Sequence, residues 1–251
     1  MVYRARGADG EVVALKLLLA QRAESLQARK RFAVEVRALE RLEHPHVVGV
    51  LASGEHEGAP WLALPYVEGA SLEERLRLGP LPIDEALRVA QQLAQALSYV
   101  HAQGVLHRDL KPANVLLRGD EALLTDFGLA REVDGSLTRI TATGVFLGTP
   151  GYWPPEQARG ELDALGPRSD VYGLGAILYA CLTACPPVQA ESFQEFLQTV
   201  RFRSTPPPAR LRPEVPAWLS ELCMRCLEED PDERPASADE VARALAAGDP
   251  A

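Results

Sequence analysis

Two carboxylates and an amide, closely spaced, are the residues of this sequence best suited to chemistry. His107-Arg108-Asp109-Leu110-Lys111-Pro112-Ala113-Asn114 sits between a long helical pattern and a short strand. A carboxylate and an amide five residues apart on one loop can divide two tasks. Asp109 can accept a proton from an incoming hydroxyl. Asn114 can offer an oxygen to a divalent metal, as hard Mg2+ requires. Asp126 of Asp126-Phe127-Gly128 follows twelve residues later, beyond a hairpin, as a second metal ligand brought beside the first. Singly, Asp109 reads as a turn residue and Asn114 as a cap. Eight residues in this order are hard to explain that way.

The elements around them can be read from periodicity. Val2 to Arg6 and Glu11 to Leu18 alternate as two strands around the turn Gly7-Ala8-Asp9-Gly10. Residues 22–42 carry Leu26, Phe32, Val36, Leu39 and Leu42 at helical spacing, and His44-Pro45-His46 ends that helix. Val47 to Ser53 and Trp61 to Val67 read as strands. After Val67-Glu68-Gly69 the pattern turns helical. Ser71-Leu72-Glu73-Glu74 is a capping box, Ile83 to His101 is a long amphipathic helix, and Val115–Leu117 and Leu123–Thr125 are short strands. Helices are expected over about 168–184, 191–200, 216–228 and 237–247, the last opened by a second capping box, Ser237-Ala238-Asp239-Glu240. The proline-rich stretch 204–216 reads as an extended loop. The expected class is α+β with two lobes, a small β-rich one over 1–67 and a larger helical one over 68–251.

Composition narrows the function. The 251 residues are 47% hydrophobic and 24% charged, and the net charge is −9. With no basic excess, the balance argues against a general nucleic-acid or anionic-membrane binder. The most apolar run, residues 171–185, falls short of the ~20 residues of a membrane span and reads as a buried core helix. No secretory signal is visible. Cys181, Cys185, Cys223 and Cys226 lie in apolar helical patterns, as small buried residues of a reduced, cytoplasmic protein. The acidic run Glu228-Glu229-Asp230 reads as a solvated helix end.

HRDLKPAN followed by DFG resembles the catalytic core of eukaryotic-type (Hanks-type) serine/threonine protein kinases, in their bacterial wording. The likeness extends along the chain through Val13-Ala14-Leu15-Lys16, Gly148-Thr149-Pro150-Gly151-Tyr152-Trp153-Pro154-Pro155-Glu156, Ser169-Asp170-Val171-Tyr172-Gly173 and Asp230-Pro231-Asp232-Glu233-Arg234-Pro235. It implies a bilobal kinase-like fold and transfer of the ATP γ-phosphate to protein Ser/Thr hydroxyls, with ATP and Mg2+ as cofactors. Asp109 would then orient the acceptor hydroxyl, Lys111 would neutralise the transferring phosphate, and Thr149 would bridge to both. Asn114 and Asp126 would bind metal. Lys16, paired with Glu35, would hold the α- and β-phosphates.

The resemblance makes Leu64 the gatekeeper behind adenine, with Pro65 offering its carbonyl and Val67 its N–H to the adenine edge. Ala14 and Leu116 are assigned to the same cofactor site. Asp170 would brace the catalytic loop, and Glu156 would pair with Arg234. His44, His46, His101 and His107 are structural in that family rather than metal ligands. Arg108 needs an anion, and Thr141 and Thr143 form a Thr-x-Thr pair whose phosphorylation would supply it, with self-association for autophosphorylation in trans.

The family's G-x-G-x-x-G-x-V pattern before the V-A-I-K strand is met only at its V, Val2, so the first lobe is expected to lack the glycine-rich turn and first strand. Two outcomes follow from that expectation. One is an active kinase whose start lies further upstream; the other is a kinase-fold binding module with impaired catalysis.

Overall fold

The computed structural model describes residues 2–7, 9–17, 34, 36–57, 59–127, 150–190, 195 and 205–248. Strands β1 (Val2–Arg6), β2 (Val12–Leu17), β3 (Ala52–His56) and β4 (Ala59–Pro65) form one antiparallel sheet in the order β1-β2-β4-β3. β2 is central, with Lys16 opposite Leu62 and Ala14 opposite Leu64. Residues 36–39 are helical, and Val36 and Leu39 are buried, as the amphipathic pattern requires. The rest of that expected helix, with Leu26, Phe32 and Glu35, lies outside the described residues.

The second lobe begins with β5 (Ala70–Ser71) and α1 (Leu72–Leu76), whose capping box is fully formed: Ser71 Oγ accepts from Glu74 N and Glu74 Oε2 accepts from Ser71 N. Helix α2 (Ile83–Ala102) buries Leu93, Leu97 and Val100. Strands β6 (Val115–Arg118) and β7 (Glu121–Leu124) form the hairpin between Asn114 and Asp126. Then come α3 (Pro155–Ala158), α4 (Pro167–Thr183), α5 (Pro208–Leu211), α6 (Ala217–Cys226) and α7 (Ala238–Ala247).

The apolar run expected as a core helix is α4, buried continuously from Ser169 to Leu182. Packed around it are α2, α6 and α7. Gly173 lets α4 approach the loop at Leu110, since a Cβ there would stand 2.6 Å from Leu110 Cβ. Cys181, Cys223 and Cys226 are fully buried in this core, and all four cysteines are free.

Four expectations are corrected. Val47 to Ser53 is not one strand: Val47 makes a single parallel bridge to Leu124, and the strand begins at Ala52. The reason is that this backbone serves the other lobe. His46 O accepts from Leu124 N and Val48 N donates to Leu124 O, which satisfies the outer edge of β7. The second strand stops at Pro65, short of Val67. The loop 204–216 contains the helical turn α5, with Pro208 at its first position, where a missing N–H costs nothing. The second capping box is half-formed: Ser237 caps Glu240 N, but the Glu240 carboxylate turns to Ala236 N. The expected helix 191–200 lies almost wholly outside the described residues.

Candidate active site

The hairpin and the loop before it bring the chemistry together. Asn114 ends a 3-10 turn, Pro112–Asn114, and its carbonyl oxygen accepts from Thr125 N, so the residues flanking the two strands are tied across the hairpin mouth. Asn114 Nδ2 donates to Asp109 O at 2.7 Å and to Asp109 Oδ2 at 3.1 Å. Lys111 Nζ stands 3.0 Å from the same Oδ2. Asp109, Lys111 and Asn114 therefore form one contact cluster, with an ammonium and an amide orienting one carboxylate.

Asp126 takes a left-handed backbone, φ 59°, and its Oδ1 accepts from Lys16 Nζ at 2.7 Å. That bond spans the lobes, from the centre of the first sheet to the end of the hairpin. A hard cation needs oxygen donors that solvent and substrate can reach. The Asp126 side chain is 32% exposed, and Asn114 turns its nitrogen to Asp109, which leaves its oxygen as the end offered to a cation. This donor set fits Mg2+.

Between the lobes, Leu64, Val48 and Leu123 form a small apolar cluster, with Ala14, Val50, Val67 and Leu116 packed on it. Ala14, Leu64, Val67 and Leu116 thus share one wall. Pro65 stands opposite Val13 at the end of β4. Val48 and Leu123 were missed in the sequence, because nothing local distinguishes a cleft-lining valine or leucine from a core one.

The catalytic loop is held from below. Asp170, 2% exposed, accepts from His107 N and Arg108 N at 2.8 Å each, and His101 Nε2 lies 2.9 Å from its Oδ2. Burial alone would push the Asp170 carboxyl up, but the hydrogen bond from His101, the charge beside it and the loop N–H hold it below the usual aspartate range. His107 is fully buried. Its Nε2 meets Thr125 O at 3.0 Å and its Nδ1 accepts from Asp109 N at 3.3 Å, so one ring joins the Asp109 loop to the residue before Asp126. Burial lowers its pKa below the ordinary 6.5. Phe127 tilts against the same ring, centroids 4.7 Å apart. His44 stacks on Tyr99, whose hydroxyl accepts from Glu43 N.

Glu156 and Arg234 meet at the far side of the lobe in a two-point ion pair, 2.8 Å at each oxygen. The side chains of Glu228 and Glu229 are exposed as expected, yet their carbonyls both accept from Arg234. Glu35, Thr141, Thr143 and Thr149 lie outside the described residues. No described helix is long and apolar enough to cross a membrane.

The sequence matches the family described as the protein kinase domain over residues 1–245. It is 39% identical over 245 residues to the serine/threonine-protein kinase pkn2 of Myxococcus xanthus, covering 95% of this chain and 29% of that protein. It is 37% identical over 243 residues to the probable serine/threonine-protein kinase PkwA of Thermomonospora curvata, covering 96% and 32%. The chain thus spans about a third of the length of these two curated relatives. Among solved structures, the Mycobacterium tuberculosis PknI kinase domain superposes with a TM-score of 0.75 at 30% identity, over 98% of this chain and 89% of that one. The bilobal α+β architecture and the bacterial serine/threonine wording agree with these likenesses, and the chain belongs to the protein kinase domain family.

Proposed function

We propose that this chain is a serine/threonine protein kinase that transfers the ATP γ-phosphate to serine and threonine hydroxyls of protein substrates. The observation that carries this reading is the Asp109–Lys111–Asn114 cluster, tied through Asn114 O and Thr125 N to the residue beside Asp126, which Lys16 contacts. Asp109 orients the acceptor hydroxyl and takes its proton. Lys111, already at that carboxylate, balances charge on the phosphoryl group in flight. Asn114 and Asp126 would hold Mg2+, which when bound neutralises phosphate charge. Lys16 positions the phosphates. Ala14, Leu64, Val67 and Leu116 pack against the adenine ring, while Pro65 O and Val67 N read its edge. Catalysis here is positioning and charge neutralisation.

Thr141 and Thr143 are the proposed regulatory phosphosites, with Arg108 pairing the added charge and a second copy of the chain as the phosphorylating partner. An ATP-using chain with four free cysteines suits the cytoplasm.

The test is transfer of radiolabelled phosphate from ATP to a serine/threonine acceptor protein. Asp109→Asn is expected to lower the rate by about 10²–10⁴-fold, the usual worth of a positioned base, with nucleotide affinity nearly unchanged. Transfer that persists in that variant sinks the assignment.

A further inference from the structure

The segment joining the lobes runs from the end of β4 at Pro65 to the start of β5 at Ala70. It carries the two groups proposed to read the adenine edge, Pro65 O and Val67 N. A backbone group that serves a ligand must stay unpaired within the chain, and it serves best when its position is fixed beforehand. Among the described residues, Tyr66, Val67 and Glu68 make no hydrogen bond. The linker is therefore held by side chains. That of Val67 packs inward on Val48, Leu64 and Leu123. Tyr66 is 39% exposed, and the group that meets its ring is Arg4, whose guanidinium carbon stands 4.9 Å from the ring centroid. A cation within about 6 Å of an aromatic face is attracted to it.

Arg4 reaches the linker from β1, with β2 lying between. In register it stands opposite Ala14, and Ala14 stands opposite Leu64. Directly opposed residues of an antiparallel ladder share one face. Arg4 thus lies on the face of the sheet that carries the Ala14–Leu64 wall, one strand further out. Arg6, next along that face, donates to Gly10 O and closes its own turn. Arg4 makes no hydrogen bond or ion pair among the described residues, so its contact with Tyr66 competes with no other.

We infer that Arg4 is a positioning residue: by lying over the Tyr66 ring, it straps the linker to β1 and holds Pro65 O and Val67 N in place for an adenine edge. The inference rests on the ATP-binding part of the proposed function.

The experiment is calorimetric titration of Mg-ADP into the native chain and into Arg4→Met, Tyr66→Leu, Tyr66→Phe and the double variant Arg4→Met/Tyr66→Leu. Methionine keeps much of the arginine stem without the charge, and phenylalanine keeps the ring. Arg4→Met and Tyr66→Leu should each weaken Mg-ADP about two- to fivefold, the ratio that an exposed cation–π contact supplies. The double variant should be no weaker than either single one, because both remove the same contact. Tyr66→Phe should bind as the native chain does. In phosphate transfer, the KM for ATP should rise in the same proportion while kcat stays within about twofold, since Lys16, Asp109 and Asn114 are untouched.

Native affinity in Arg4→Met overturns the inference, as does a double variant weakened by the product of the two single effects. A Tyr66→Phe variant as weak as Tyr66→Leu, or a loss that falls on kcat and not on KM, overturns it too. A native chain that binds Mg-ADP but transfers no phosphate defeats the proposed function and leaves the titrations to decide this inference. One that binds no Mg-ADP overturns both.

Discussion

Two cation–carboxylate pairs in this molecule are built from the same chemistry and made for opposite purposes. Arg234 and Glu156 have side-chain exposures of 0% and 1%; Lys16 and Asp126 have 15% and 32%. All five guanidinium N–H groups of Arg234 are used: Nε on Glu228 O, one Nη on Glu156 Oε1 and Arg168 O, the other on Glu156 Oε2 and Glu229 O. Tyr172 adds its ring face 5.0 Å away, and Ser169 Oγ donates to Glu156. Nothing in this pair is left over for a ligand. Lys16 meets Asp126 at 2.7 Å, and both side chains keep some exposure at the cleft between the lobes. A pair that must give way to phosphates and a cation stays open to solvent, and one that ties α3 to the segment before α7 is closed.

Breaking the closed pair should have the largest effect. Arg234→Met strands the Glu156 carboxylate in the interior and is expected to cost about 3–5 kcal/mol of stability, read by denaturant unfolding. The double variant Glu156→Leu/Arg234→Met removes both charges and should be less costly than the single change. A double variant as unstable as the single would show that the cost is lost packing, not the stranded charge.

Acid offers a second way to separate the pairs. Burial by itself raises the Glu156 carboxyl, but the hydrogen bonds and charge of Arg234 outweigh it and hold the pKa below the ordinary 4.5. A carboxyl depressed in the folded state contributes stability that is present above its unfolded value and lost as pH falls through its folded one. Asp170 adds the same sign below the ordinary 3.8. Unfolding free energy should therefore decline below about pH 4.5, and Glu156→Gln should flatten that decline.

His107 acts in a higher window. Its pKa is depressed, so the unfolded chain protonates first, and its contribution is present above 6.5 and lost as pH falls below that. His107→Asn should reduce the slope between pH 6.5 and the onset of the carboxylate limb, leaving the part that His44, also lowered by burial, contributes with the same sign.

The smallest stability effect is expected at the open pair. Lys16→Met should change unfolding free energy by no more than about 1 kcal/mol, because a partly exposed pair contributes little. The same variant should weaken ATP binding, measured by calorimetry. A large loss of stability would mean that Lys16–Asp126 is a structural clasp like Arg234–Glu156.

Much of this fold was legible because its signals are local. Ser71 and Glu74 announce their helix by three-residue spacing, and the unbroken apolar run at 171–185 could only be a buried helix. The chemical residues were legible by type and order. What could not be read was backbone assigned to a distant partner. Val47 and Val48 have the side chains of a strand, but Val47 N turns back to His44 O and Val48 N donates to Leu124 O, 76 residues on from Val48. Glu240 has the position of a capping box, but its carboxylate reaches one residue further back.

By itself, then, the sequence determined the elements, the family and the identity of the chemical groups, since these follow from residue type and short-range period. Only the tertiary structure decided which carboxylate is sealed and which is open. It also decided that one histidine ring joins the Asp109 loop to the residue before Asp126, and that another contacts the aspartate beneath it. Ionisation, tautomer and burial belong to neighbours brought together from distant points of the chain. No spacing rule encodes them, because the water each group loses on folding depends on everything packed around it.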